Sequence, residues 1–196
     1  MSTTHLADQH KKEFRRILVE FGRVMLLGLL LVIVAGYFWR SAQPQELYVY
    51  CDAERVRTRL GKPAFVNEDQ AFTGGVLQSK EQAHQGHYSA RLSATAQFAL
   101  ETRIPNLTGE EEIVIRIWRY IQDSKGEGAS LIAEIPGTKG GMVNTAKHTE
   151  EDWELLELRL LPDCRHANQY LKVYCWNPTG QVVYFDDLEI RISPVY

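Results

Sequence analysis

The side chains with the most chemical content in this 196-residue sequence are aromatic rings and charges that alternate along short apolar stretches. Ile113, Ile115 and Ile117 share one parity and Arg116, Trp118 and Tyr120 the other, the pattern of a strand with one buried face. Leu171, Val173 and Cys175 alternate in the same way with Lys172, Tyr174 and Trp176, and Trp153 stands on the parity of Glu157 and Arg159 against Leu156, Leu158 and Leu160. Flat rings stack on the C–H faces of a sugar while flanking polar groups take up its hydroxyls. Arg116, Trp118, Tyr120, Trp153, Tyr174 and Trp176 are therefore the candidate ligand-binding residues. Large aromatics also fill the ends of β domains, a role open to Trp153 and Trp176, and the rings converge only if their strands share a sheet.

Catalytic constellations are not implied. Acidic residues such as Glu101, Glu134 and Glu157 are numerous, but glycoside hydrolysis needs two carboxylates flanking one bond, which abundance does not supply. His84 and His87 flank Gln85-Gly86 in what reads as a solvated turn, and His148 and His166 are isolated, so neither a triad nor a metal pair is indicated. The glycines at 137, 140 and 141 sit between strands and open no helix, unlike a phosphate loop. The chain reads as a non-enzyme. Cys51, Cys164 and Cys175 have no C-x-x-C spacing; an odd count leaves at least one thiol free, and one disulfide or buried thiols both remain open.

The elements that would position these residues fall into two parts. Between Arg23 and Arg40 the sequence VMLLGLLLVIVAGYFW is sixteen residues without a charge or proline, about 24 Å as a helix against a hydrocarbon core of roughly 30 Å. Phe21 and Gly22 extend it, and Tyr37 and Trp39 fall where an interfacial aromatic belt belongs. Lys11, Lys12, Arg15, Arg16 and Arg23 precede the run and only Arg40 follows closely, which puts the N-terminus in the cytoplasm and the rest outside. Phe14, Ile17, Leu18 and Phe21 recur at helical spacing before it. A cleaved secretory signal has a similar pattern, but its charged region would be unusually long, and Arg40-Ser41-Ala42 is a poor cleavage site. The expected organisation is a basic amphipathic tail at 1–20, a transmembrane helix at 21–40, a linker at 41–46 and one domain at 47–196, with the lipid bilayer as a partner.

Residues 1–40 carry six Lys/Arg and three Asp/Glu, and residues 41–196 carry sixteen and twenty-two. A domain of net charge −6 without a basic cluster lacks the footprint of nucleic-acid binding. Its expected strands lie at 47–53, 87–93, 98–104, 113–120, 130–135, 155–160, 171–176 and 182–192, with a short helical turn allowed at 54–60. That spacing predicts an all-β sandwich. In the last strand Asp186 has the parity of Leu188, Ile190 and Ile192, so it should be buried and in need of a partner.

Read in order, YCDAE at 50–54, AHQGHYSARL at 83–92, IVIRIWRY at 113–120 and WNPTGQVVYFDDLEI at 176–190 resemble the jelly-roll carbohydrate-binding modules of the galactose-binding-like class, over roughly residues 47–193. The resemblance implies a jelly-roll fold and a sugar ligand. It also implies a structural calcium between the first and last strands, held by Asp52 or Glu54 and by Asp186, hard oxygen donors of the kind calcium prefers. Against it, no second aromatic cluster is visible in the loops. Two functions follow: a membrane-anchored, extracytoplasmic module recognising a glycan, or a non-catalytic domain docking another envelope protein with Trp118 or Trp176 at the interface.

Overall fold

The computed structural model describes residues 21–34 except 22, 24 and 27, and residues 46–68, 70–122 and 126–195. The chain divides into two units, 1–44 and 45–196. In the first, the described positions of 21–34 are helical and their apolar side chains exposed. Among the described residues no helix is long and apolar enough to cross a membrane. The expected tail at 1–20, the far end of the expected span and the linker up to residue 45 lie outside the described residues.

The second unit holds fourteen strands among its described residues, in chain order β1 (Leu47–Cys51), β2 (Val56–Arg59), β3 (Lys62–Asn67), β4 (Gln70–Thr73), β5 (Gln78–Ser79), β6 (Ser89–Leu92), β7 (Phe98–Ile104), β8 (Glu111–Ile121), β9 (Ser130–Glu134), β10 (Gly141–Val143), β11 (His148–Glu150), β12 (Trp153–Leu160), β13 (Leu171–Trp176) and β14 (Val183–Pro194). One sheet runs β11-β12-β8-β14-β6-β5 with β1 also paired to β14, a second runs β10-β9-β13-β7, and β2-β3-β4 form a third. The eight strands expected from alternation are present. The helical turn allowed at 54–60 is instead the exposed strand β2, and β3, β4, β5, β10 and β11 escape the pattern because they are short or lack alternation; β3 buries three consecutive residues, Ala64, Phe65 and Val66.

The two larger sheets form a β-sandwich whose core follows the predicted parity. Ile113, Ile115, Ile117 and Leu156 meet Leu171, Val173 and Cys175 in one apolar cluster, with Leu158 and Leu160 at its margin. Burial of such side chains contributes roughly 1.5–3 kcal/mol each. Cys51 and Cys175 are free buried thiols in that core and Cys164 is free and exposed; burial pushes the Cys51 thiol up to about 12.

A guanidinium is among the buried polar groups of the sandwich. Arg119 is 1% exposed, with Nε donating to Glu154 Oε2 at 3.1 Å, Nη1 to the carbonyls of Glu127 (2.8 Å) and Ala129, and Nη2 again to Glu154. It fastens the residues before β9 to β8 and β12. Arg119→Ala strands those carbonyls and the Glu154 charge, and is expected to cost about 3 kcal/mol, read as a lower urea midpoint with an unchanged slope. A loss within ~0.5 kcal/mol would show that water replaces the guanidinium.

Candidate functional site

The sandwich has two outer faces, and the candidate residues are divided between them. On the seven-stranded sheet, register places Trp153 opposite Tyr120, Leu155 opposite Trp118 and Glu157 opposite Arg116. Arg116, Trp118, Tyr120 and Trp153 therefore do share a face. Their rings are largely taken up by one another. The His84 imidazole lies on Trp118 with centroids 4.1 Å apart and planes 15° apart, and His148 meets the same ring edge-on. Trp153 is buried against His84 and Tyr120. Arg116 Nε donates to Glu157 Oε2 at 2.7 Å, and Lys147 and Arg159 converge on the same carboxylate. Burial pushes the Glu157 carboxyl up, but these three cations outweigh it and hold it at about 2. The space left is a cleft of about 290 Å³ between Tyr50, Arg116, Lys147 and Glu189.

His84 departs from the expected solvated turn. Its Nδ1 lies 2.7 Å from Asp187 Oδ2, and Tyr50 Oη donates to the other oxygen of Asp187. The 84–88 loop is held over Trp118 through its amides. Asp186 accepts from the N–H of His84 at 2.9 Å and also from Gln85, and Glu54 Oε1 accepts from the N–H groups of His87 and Tyr88 at 2.6 and 2.8 Å. Gly86 sits between them at φ +69°, where a Cβ would lie 2.4 Å from Glu54 Oε1.

These contacts bear directly on the calcium expected at Asp52, Glu54 and Asp186. Asp52 Oδ1 accepts from the Glu54 N–H at 3.1 Å, and Asp186 Oδ1 from the Asp187 N–H at 2.8 Å. Among the described residues no group of three or more His, Cys, Asp or Glu is placed to hold a metal ion. Four of the oxygens that the resemblance would give to calcium, Asp52 Oδ1, Glu54 Oε1 and both of Asp186, already accept backbone N–H groups. Asp186 is fully buried as expected, but for another reason. A bulge between Asp186 and Glu189, with Asp187 at φ 50°, shifts the alternation, so that Asp186 pairs with Trp118 on the outer face and is covered by the loop. Burial, then the neighbouring Asp187 charge, push its carboxyl up to about 8.

The four-stranded sheet presents a different surface. Tyr174 and Trp176 are on β13 in this other sheet, so the condition for convergence is not met and the six candidates divide between two faces. Trp176 pairs with Phe98 of β7, their rings 6.4 Å apart and within 11° of parallel, and Phe98 also meets Tyr174 at 6.1 Å. Phe98 is 55% exposed. Lys172 Nζ lies 4.5 Å from the Tyr174 ring centroid, between Glu101 (3.7 Å) and Glu134 (3.6 Å). Tyr174 Oη donates to Glu134 Oε1 at 2.8 Å. Burial and then this contact push its phenol up to about 12. The result is an open row of rings flanked by a cation, two carboxylates and a phenol.

Phe98 carried no signal as a site residue. It has the parity of Leu100, Thr102 and Ile104, which are buried. The bulge opposite Tyr174, where Leu100 adopts φ 55°, reverses the alternation and turns Phe98 outward.

No protein-family model matches the chain, and no curated protein matches it. Among solved structures it is similar to the CBM22-1 xylan-binding domain of Paenibacillus barcinonensis Xyn10C, at 12% identity over 79% of this chain and 100% of that one with a TM-score of 0.44. It is similar to the CBM22-2 domain of the same protein, at 14% identity over 74% and 99% with a TM-score of 0.42. It is also similar to a family 16 carbohydrate-binding module, at 14% identity over 62% and 84% with a TM-score of 0.42. Likeness this distant says nothing of what this chain binds.

Proposed function

We propose that the chain is a membrane-anchored, extracytoplasmic jelly-roll module that binds a glycan, without catalysis, on the outer face of the four-stranded sheet. The observation that carries this reading is the open pair of near-parallel rings, Phe98 and Trp176, with Tyr174, Lys172 and Glu134 beside them. A sugar needs a free ring face and polar groups at its rim. Trp118, under His84, has one face already taken. Lys172 lies between two carboxylates, so the surface has no excess positive charge and suits a neutral polysaccharide better than a uronate. The anchor is supported by the uncharged apolar run before residue 40 and the cations ahead of it.

The test is affinity electrophoresis of the detergent-solubilised full chain through gels containing neutral β-linked polysaccharides or a polyuronate. Retardation by a neutral polymer, with little by the polyuronate, is expected. Unretarded migration through every polymer would refute the glycan reading. The second reading, a protein-docking face, would then gain weight, since Met142 of β10 is also exposed and lies opposite Ile132 of β9.

A further inference from the structure

The third sheet carries a feature that the sandwich and its ring face leave unused. β2 and β3 are joined by the two-residue turn Leu60-Gly61, with φ +49° and +76°. Both turn positions are left-handed, the geometry for which Asn-Gly or Asp-Gly is preferred. A leucine there is strained by its Cβ and its side chain is wholly in water, at 103% exposure. Strain of this kind persists where the side chain is used. Below the tip, Pro63 and Val76 border an apolar groove of about 810 Å³ floored by Ala64 and Phe72. Val76 is 69% exposed, and it follows Gly75, whose missing Cβ lets this turn lie against β3; a Cβ there would fall 2.7 Å from the Ala64 nitrogen.

The charges around this tip run against those of the domain. Arg57 and Arg59 share a face of β2, Arg59 pairs directly with Lys62 of β3, and all three are exposed. The ion pairs among the described residues involve none of them. Residues 41–196 carry a net −6, so three cations outside any ion pair on one hairpin are a local exception. The groove offers no exposed aromatic ring for a sugar to stack on.

We propose that the β2–β3 tip docks on an anionic lipid surface, with Leu60, Pro63 and Val76 entering the headgroup region and Arg57, Arg59 and Lys62 meeting the phosphates. An exposed aliphatic tip beside three cations of the same hairpin is complementary to that interface, where apolar burial and attraction to anionic lipid act together. The contact would hold the sandwich against the bilayer while its ring face binds elsewhere. It does not require the N-terminal run to be the anchor.

Full-length chain carrying Cys164→Ser and Leu60→Cys, labelled at residue 60 with an environment-sensitive fluorophore, is mixed with vesicles of phosphatidylcholine alone or with added phosphatidylglycerol. The expected result is a blue shift, and quenching by lipid-borne spin label, on the anionic vesicles. Arg57→Glu, Arg59→Glu and Lys62→Glu together should abolish the shift and weaken vesicle binding of chain added from solution by more than about tenfold, with an unchanged melting temperature. A probe that stays in water on anionic vesicles, or one that shifts equally in the charge-reversed chain, would overturn the proposal. Flotation of the unlabelled chain with phosphatidylcholine vesicles tests the anchor separately, because failure there leaves the residue 60 probe as informative as before.

Discussion

Trp176→Ala is expected to weaken binding to a neutral polysaccharide about thirtyfold, the cost of losing a central aromatic contact of about 2 kcal/mol, while Trp118→Ala changes it less than about twofold. The contrast follows from what each ring already touches. Trp118 has His84 stacked at 4.1 Å and His148 against its edge, so its removal disturbs the protein and not an open platform. Trp176 is half-buried at the rim of the four-stranded sheet with Phe98 beside it. Phe98→Ala should act in the same direction, and Trp176→Phe should recover most of the affinity because a flat ring is kept. Isothermal titration of the full chain, with melting temperatures to confirm folding, decides the matter. A large loss for Trp118→Ala with little for Trp176→Ala would place the ligand on the seven-stranded face instead.

The buried face is legible in the sequence where strands alternate without interruption. The stripe of Ile113, Ile115 and Ile117 and that of Leu171, Val173 and Cys175 are buried as expected, because two-residue periodicity directly reports a strand with one wet face. It failed at two bulges. Each inserts a residue with positive φ that is not glycine, Leu100 in β7 and Asp187 in β14, so composition gives no warning and parity counted across it points to the wrong face. One bulge hid Phe98, the exposed ring beside Trp176. The other made Asp186 look like a core residue when the 84–88 loop is what covers it. The division of the rings between two sheets depends on long-range pairing, which no local pattern contains: β8 pairs with β12 and β14, and β13 with β7 and β9.

Asp186 should also make the fold less stable as pH rises from about 5 to 8. Its carboxyl is pushed from an ordinary 3.8 up to about 8 by burial and by the Asp187 charge, against the pull of the amides of His84, Asp187 and Gln85. In this window the folded state holds a proton that the unfolded state has released. The stabilisation is complete below the unfolded value and is lost progressively, at about 1.4 kcal/mol per pH unit, until the folded value is passed. Glu157 acts oppositely: held at about 2 against an ordinary 4.5, it contributes stability above 4.5 that disappears as pH falls toward 2. The two together place the optimum near pH 4–5. Urea midpoints measured from pH 5 to 8 should fall in the natural chain and stay level in Asp186→Asn, which cannot ionise. Added calcium should leave the natural slope unchanged, because the Asp186 oxygens are already occupied by backbone amides. Midpoints that instead rise over this range, or a slope that calcium erases, would show that Asp186 is charged in the folded state and that its amides, or a bound cation, outweigh its burial.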